Sequence, residues 1–421
     1  MFRSRHILLI LALLAAVSGT AGCARLWSQP TPTPLPVTLR FVFSDRAKES
    51  KYQDAAKAFK LKYPRITVEV RRVNNVPLQL SMGSVDVSEA EQFDFSTLVQ
   101  RNAVRDLTPI LESAVDFPAN DFYPRLLDLF RQGGKLWGIP ANVDPWVVFY
   151  NKDLFTKMNV PYPQPGWTWE DFLLAARGVS IPMENPPQYG FVPDPYGLGV
   201  WSFVYQHGGR VVDNLVQPTK ATLDDPRVIE AVQWYADLAT KHNVMPVVTS
   251  ATDPQYQAMM NAFLRGKVGM WMLSLSERGG IAGSRPWAFS WGVVPLPQDK
   301  ERITFLMASG YFISAGTTYP RESWLWIEYL TKEAVLDWDV PPRRSVAKSE
   351  AYRKRVGEEI FAVAQEAAEY GMTLPAAAWL TQIPGESINF VADVMAGKKT
   401  AAEALQDVQR QWDAAIQRFS K

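Results

Sequence analysis

"VTLRFVFSDRAKESKYQDAAKAFKLKYPRITVEV", from Val37 to Val70, changes its hydrophobic period twice. Val37, Leu39, Phe41 and Phe43 alternate, the period of two that sets apolar side chains on one face of a strand. Tyr52, Ala55, Ala56, Phe59 and Tyr63 then recur at helical spacing, Pro64 stops the helix, and Ile66, Val68 and Val70 restore the alternation. Strand, helix and strand in that order predict a crossover unit with parallel strands, and the class is α/β.

The same alternation of periods continues downstream. "SVDVSEAEQFDFSTLVQRNAVRDLTPIL" (Ser84 to Leu111) reads as a loop at a strand end, a helix and a closing turn. Helix starts carry clear caps. Thr168 with Asp171 leads into Phe172, Leu173 and Ala176, and Asp225 with Pro226 opens a stripe of Val228, Val232, Tyr235 and Ala239. Thr400 with Glu403 precedes Leu405, Val408, Trp412 and Ala415. With 421 residues the chain can bury a large interior and is expected to form more than one domain.

Composition excludes several functions. Lys and Arg total 44 against 43 Asp and Glu, so nothing favours nucleic acid. Three histidines and one cysteine leave no Cys/His metal centre and no disulfide. There is no Gly-x-Ser-x-Gly elbow, no phosphate-cradling glycine loop with Lys and no HExxH, and no cofactor is expected. Aromatic rings are abundant, with 15 Trp, 15 Tyr and 21 Phe, and sugar-binding clefts use such rings as stacking platforms.

At the N-terminus Arg3, Arg5 and His6 precede an apolar run from Ile7 to Val17, then small residues from Ser18 to Gly22. That layout predicts an export signal over residues 1–22, too short to span a bilayer, which wants roughly 20 apolar residues. Cys23 after small residues resembles the lipobox of bacterial lipoproteins, although Thr20 stands where such boxes carry Leu. The expectation is a lipidated Cys23 and a Pro/Thr-rich tether over 23–36, ending in "SQPTPTPLP". A cut near Ala21 would instead leave a free thiol.

Six segments, in order, carry a resemblance. They are "GGKLWGIPANVDPWVVFYNKDLFTKMNVPYPQPGWTWEDFLLAARGVS" (Gly133 to Ser180), "YQHGGRVVDN" (Tyr205 to Asn214), "NAFLRGKVGMWMLS" (Asn261 to Ser274), "WGVVPLPQ" (Trp291 to Gln298) with "GYFISAGTTYPRESWLWIEYLTKE" (Gly310 to Glu333), "VPPRRSVAKSE" (Val340 to Glu350) and "VMAGKKTAAEALQDVQRQW" (Val394 to Trp412). Together they resemble the family 1 extracellular solute-binding proteins of ABC importers, which include the maltose-type sugar receptors. The resemblance implies a two-lobed periplasmic-binding-protein fold of type II, each lobe a mixed sheet flanked by helices and joined by hinge strands. Crossings are expected near Val143 to Trp146, Val293 to Pro297 and Leu336 to Pro341. Lobe 1 would hold 37–143 plus 297–336, and lobe 2 would hold 145–293 plus 337–421.

In open α/β sheets ligands sit beyond the carboxyl ends of the strands. Ser44 and Asp45 follow the first strand, and Asp86 with Ser88 is expected in a comparable loop; Ser44 or Asp45 could equally cap the next helix. Asp144 and Trp146 flank Pro145 at the first crossing, one a hydroxyl acceptor and the other a flat apolar face. Tyr196 and Trp201 stand in "DPYGLGVWSF", Trp271 ends "GKVGMWM", and Trp287 lies in "AGSRPWAFSW"; each is a cleft ring or a packed one. By resemblance Gly310 and Tyr311 face the cleft. Arg343 and Arg344 follow two prolines and either line the cleft or make surface ion pairs, whereas Trp324 and Trp326 sit at helical core positions.

The expected function is that of a monomeric, lipid-anchored, extracytoplasmic receptor. It would bind a small solute, a sugar or oligosaccharide, by lobe closure and deliver it to an ABC permease in the membrane. Two alternatives stand beside it. One is a hydrolase with a carboxylate pair about 5 to 10 Å apart; the other is a receptor for a peptide, polyol or glycerol phosphodiester.

Overall fold

The computed structural model describes residues 35–113, 117–193, 199–248, 254–281, 285–332, 340–373 and 390–419. The expected signal, Cys23 and nearly all of the tether fall outside these residues, as does Tyr196. The opening stretch folds as its periods predict. Strand β1 (Val37–Phe43) leads through a short turn to helix α1 (Glu49–Lys62) and strand β2 (Ile66–Arg72). Tyr52, Ala55, Ala56 and Phe59 form the buried stripe of α1, and the Tyr52 ring meets Phe41 and Phe43 edge-on at 4.8 and 4.9 Å.

Along the chain follow β3 (Val87–Glu91), β4 (Ile139–Pro140), β5 (Asp144–Asn151), α2 (Trp169–Val179), β6 (Tyr189–Val192), α3 (Gly199–Gln206) and α4 (Pro226–Thr240). Then come β7 (Val268–Ser274), β8 (Trp291–Pro295), β9 (Phe305–Met307), β10 (Ser309–Ile313), α5 (Pro320–Lys332), α6 (Glu358–Tyr370), β11 (Met372–Thr373) and α7 (Ala401–Phe419). The first large sheet has the order β2-β1-β3-β10-β4, and the second β11-β9-β5-β7-β6 with β8 also on β5. In the first, β1 and β3 are parallel while β10 runs against β3 and β4. In the second, β5 runs against β7, β8 and β9, and β6 lies parallel to β7. Both sheets are mixed and carry helices, and the class is α/β.

The predicted caps are present. Thr168 Oγ1 accepts from the Asp171 N–H at 3.2 Å, and Asp171 Oδ2 accepts from the Thr168 N–H at 2.9 Å, a reciprocal box that satisfies two orphan donors of α2. Thr168→Ala should therefore lower stability by about 1 kcal/mol, read as a shifted urea midpoint with an unchanged slope. Asp225 caps α4, and Thr400 with Glu403 caps α7. Gly190 of β6 lets α2 lie close to the sheet, because a Cβ there would come within 2.0 Å of the Ala176 carbonyl oxygen.

The chain passes between the sheets in very few residues. Only Ala141, Asn142 and Val143 separate β4 from β5, and only Ala308 separates β9 from β10. Val340, where the description resumes after 332, exchanges two 2.9 Å backbone hydrogen bonds with Val143. The passage expected near Val293 to Pro297 falls instead at Ala308, because both strands before it pair with β5. Val293, Val294 and Pro295 stand opposite Phe149, Val148 and Val147 of β5, and β9 pairs with β5 again. The strand ends at Pro295, and Gln298 then bridges to Thr168 at the start of α2 before β9 returns to β5, so the chain does not change sheet here. All these passages lie at one edge of the first sheet, since Ser309 and Gly310 pair with Glu91 and Ala90 at the carboxyl end of β3.

Candidate functional site

The carboxyl edge of the first sheet and the strand passages meet in one place. Ser44 and Asp45 emerge exposed from β1, and Asp45 Oδ1 accepts from the Ala47 N–H at 2.8 Å, so this carboxylate caps the turn that follows. After β3, Glu91 is exposed, Gln92 is buried and Phe93 is 39% exposed. Gln92 grips Ala308 twice: its N–H donates to the Ala308 carbonyl at 3.0 Å, and its Oε1 accepts from the Ala308 N–H at 2.8 Å. One residue earlier on that strand, Met307 stands opposite Asp144 of the second sheet. The half-buried Asp144 carboxylate accepts from the N–H of Ser276 at 2.9 Å and from its hydroxyl at 2.6 Å.

Behind this edge lies a buried charged network. Glu89 on β3 and Lys48 at the entrance to α1 are 5% and 6% exposed, and the ammonium donates to Glu89 Oε1 at 2.7 Å. Ser309 Oγ donates to the same oxygen, and the Tyr52 hydroxyl donates to Oε2 at 2.6 Å. The Tyr311 hydroxyl lies 3.2 Å from that of Tyr52. The Ser309 N–H donates to Asn142 Oδ1 at 2.8 Å, tying the first passage to the second. Lys48, Glu89, Asn142, Thr331 and Pro341 line a cavity of about 20 Å³, room for roughly one water molecule. Burial alone would raise the Glu89 carboxyl, but the Lys48 charge and three hydrogen bonds outweigh it and hold the group below its ordinary value. Burial, then the charge of Glu89, pushes the Tyr52 hydroxyl well above its usual range.

Several expected cleft residues lie elsewhere. Asp86 is 2% exposed at the amino end of β3, the edge opposite Ser44. Its Oδ2 accepts from the Arg40 N–H and Nε at 2.9 and 3.1 Å, and its Oδ1 accepts from Thr317 Oγ1 at 2.7 Å, so it ties strands together. Trp146 belongs to the apolar core of the second sheet. Trp201 belongs to that core too, beside Phe390 and Trp412 at 5.2 and 5.6 Å between ring centroids. Trp271 and the half-buried Trp287 pack edge to face at 4.8 Å over Phe149, in the middle of the sheet rather than at its end. Gly310 is buried where a Cβ would fall 2.8 Å from the Phe130 ring, and Tyr311 joins the Glu89 network. Arg343 is 1% exposed, its guanidinium over Phe122 at 4.8 Å and Phe117 at 5.1 Å, with Nε donating to Thr331 Oγ1. Burial holds its pKa below the usual arginine value. Trp324 and Trp326 are buried, as their spacing predicts. Among the described residues no three of His, Cys, Asp and Glu gather as a metal-binding group.

Residues 44–336 match the bacterial extracellular solute-binding proteins. The chain belongs to this family. An arabinooligosaccharide-binding protein from Halalkalibacterium halodurans is 24% identical over 366 residues, covering 82% of this chain and 80% of that one. Among solved structures, an ABC substrate-binding protein from Listeria monocytogenes in complex with cycloalternan superposes with a TM-score of 0.76 at 19% identity, over 91% of this chain and 99% of that one. A receptor from Streptomyces glaucescens, solved unliganded and with acarbose, gives 0.72 at 21% identity, over 91% and 99%. The two large sheets and their strand passages are thus those of a two-lobed solute-binding protein.

Sequence reasoning placed Tyr52 on a helical stripe without its hydroxyl's role, and it missed Lys48, Glu89, Gln92, Asn142 and Ser276 of this solute-binding protein. "VSEAE", which reads in sequence as part of a loop at a strand end, is the strand β3 that carries Glu89. The rest acquire their places through partners far away in the chain, such as Lys48 for Glu89, 41 residues apart.

Proposed function

We propose that the protein is an extracytoplasmic receptor that closes two lobes on a sugar or oligosaccharide and hands it, unchanged, to an ABC permease. The observation that carries this reading is the convergence of polar groups from both sheets, Glu91 and Gln92 on one side and Asp144 with Ser276 on the other, on the strand at Met307 and Ala308. A guest held there touches both halves, and contacts to both stabilise the closed arrangement over the open one. The ligands named for the relatives, arabinooligosaccharide and cycloalternan, support the solute class. The halves proposed are 37–140 with 309–332, and 144–307 with 340–419. A lipidated Cys23 and the 23–36 tether would hold a monomer beside its permease. No covalent step is assigned to any carboxylate.

Titration calorimetry with arabino- and malto-oligosaccharides, followed by chromatography of the recovered sugar, tests the reading. Heat of binding with intact recovery is expected; no binding by any of the panel, or cleavage, would sink it. Asp144→Ala should weaken binding by about 1–3 kcal/mol, because the sugar hydroxyls lose a charged acceptor in a site shielded from water.

A further inference from the structure

We infer that the amino edge of the first sheet is a basic face that rests on an anionic lipid surface, with the solute edge turned away from the membrane. This goes beyond the receptor reading and holds whichever solute the cleft takes. The strand entrances define the edge. β1 and β2 end together, since the Val73 N–H donates to the Phe43 carbonyl at 2.8 Å, and they therefore begin together. β3 is parallel to β1, and β10, running against β3, delivers Ser314 to the same edge, its N–H on the Asp86 carbonyl at 3.0 Å. Backbone bonds from Arg105 to Ile313 and from Ala315 to Ala103 bring the segment after Gln100 there as well.

Segments 38–40, 60–67, 82–87, 100–105 and 314–322 thus form this edge, and their charge is one-sided. Arg40 and the buried Asp86 pair at 3.1 Å. Beyond that pair, Lys60, Lys62, Arg65, Arg101, Arg105 and Arg321 stand against one acid, Glu322. Lys60 donates to the Thr67 hydroxyl and Arg105 to the Ala315 and Thr317 carbonyls, neutral partners that leave both charges in place. A chain whose bases and acids total 44 and 43 has gathered an excess of cations at one edge. Exposed apolar side chains stand among them. Leu61, between Lys60 and Lys62, is 83% exposed, and Met82 is 66% exposed. Cations interleaved with exposed apolar groups suit a lipid headgroup layer, where phosphates meet the charges and the apolar groups enter the acyl boundary.

The chain before β1 says which anionic surface is in reach. β1 starts at this edge, so residues 23–36, the tether of a lipidated Cys23, join the domain there. At about 3 Å per residue they span at most about 40 Å, which keeps a bilayer close to the basic edge. The carboxyl edge, with Ser44 and Glu91, lies at the far ends of the same strands and opens toward arriving solute.

Vesicle flotation of the mature chain carrying Cys23→Ser tests this without an acyl group. Binding is expected to vesicles of equal parts phosphatidylglycerol and phosphatidylcholine, falling as salt rises, and not to phosphatidylcholine alone. Lys62→Gln with Arg65→Gln and Arg101→Gln should weaken it on the order of a hundredfold, at about fivefold per charge. Lys157→Gln with Lys241→Gln and Lys354→Gln, exposed cations elsewhere, should leave it unchanged, and both triple variants should melt as the parent does. Cys23→Ser also removes the only native thiol, so a nitroxide on Leu61→Cys reports the contact itself. On anionic vesicles it should become shielded from an aqueous relaxant, whereas one on Ser44→Cys should stay accessible. No binding to the anionic vesicles, equal binding to neutral ones, equal loss in both triple variants, or a water-exposed probe at Leu61 in the bound protein overturns the inference. Each of these leaves the receptor reading standing, because that reading is decided by calorimetry with sugars.

Discussion

Lys48→Ala lowers the free energy of unfolding by about 3–5 kcal/mol, the usual consequence of leaving one member of a buried ion pair without its partner. The Glu89 carboxylate stays at the base of the passages with only the Ser309 and Tyr52 hydroxyls to hold its charge. Lys48→Met with Glu89→Gln removes both charges together, and this double variant should recover most of the loss, which a double-mutant cycle by urea denaturation measures. Additivity of the two single effects would mean the charges do not act as a pair.

The same network fixes how stability follows pH. The folded Glu89 carboxyl lies below its ordinary 4.5, so as pH falls the unfolded chain binds this proton first. Its contribution is fully present above about pH 4.5 and is lost as pH drops through the folded value. At the alkaline end Tyr52 has the opposite sign. Its folded pKa is raised, so its contribution is present below about pH 10 and disappears as pH rises through the folded value. Glu89→Gln should flatten the acid limb. Because Asn142 and Ser309 belong to the network, faster hydrogen exchange at Asn142 and Ala308 in Lys48→Ala would show the passages loosening with it.

The legible parts of this chain were those set by neighbours in sequence. The crossover from β1 to β2 and the caps at Thr168, Asp225 and Thr400 follow from spacings of two to four residues, and they fold accordingly. Ser44 could be placed at the carboxyl end of β1 from strand direction, and Asp144 at a passage from the family resemblance rather than from any local pattern. Asp86 could not, because its edge depends on where β3 begins, and the register that sets Phe41 against Val87 puts it at the entrance of that strand. The passage at Ala308 was hidden for a similar reason. Nothing local in Phe305 to Ile313 says that the first residues pair with Asp144 and the last with Glu89 and Val87. Ring content was the least informative signal, since a tryptophan in a loop or at a helix start reads the same whether it faces a guest or a core.

That ambiguity has a direct test, because core and cleft tryptophans respond oppositely to truncation. Trp201→Ala should lower stability by about 3–5 kcal/mol, the range for removing a large buried ring, and leave oligosaccharide affinity of the folded protein unchanged. Trp201 is 7% exposed on α3, between Phe390 and Trp412 of the C-terminal helices. The cavity left behind cannot close cheaply, since α3 and α7 both pack on α4, which limits how far either can move. Chemical denaturation gives the first quantity, and calorimetry at a temperature well below the variant's melting midpoint gives the second. A weakened affinity at unchanged stability would return Trp201 to the ligand site.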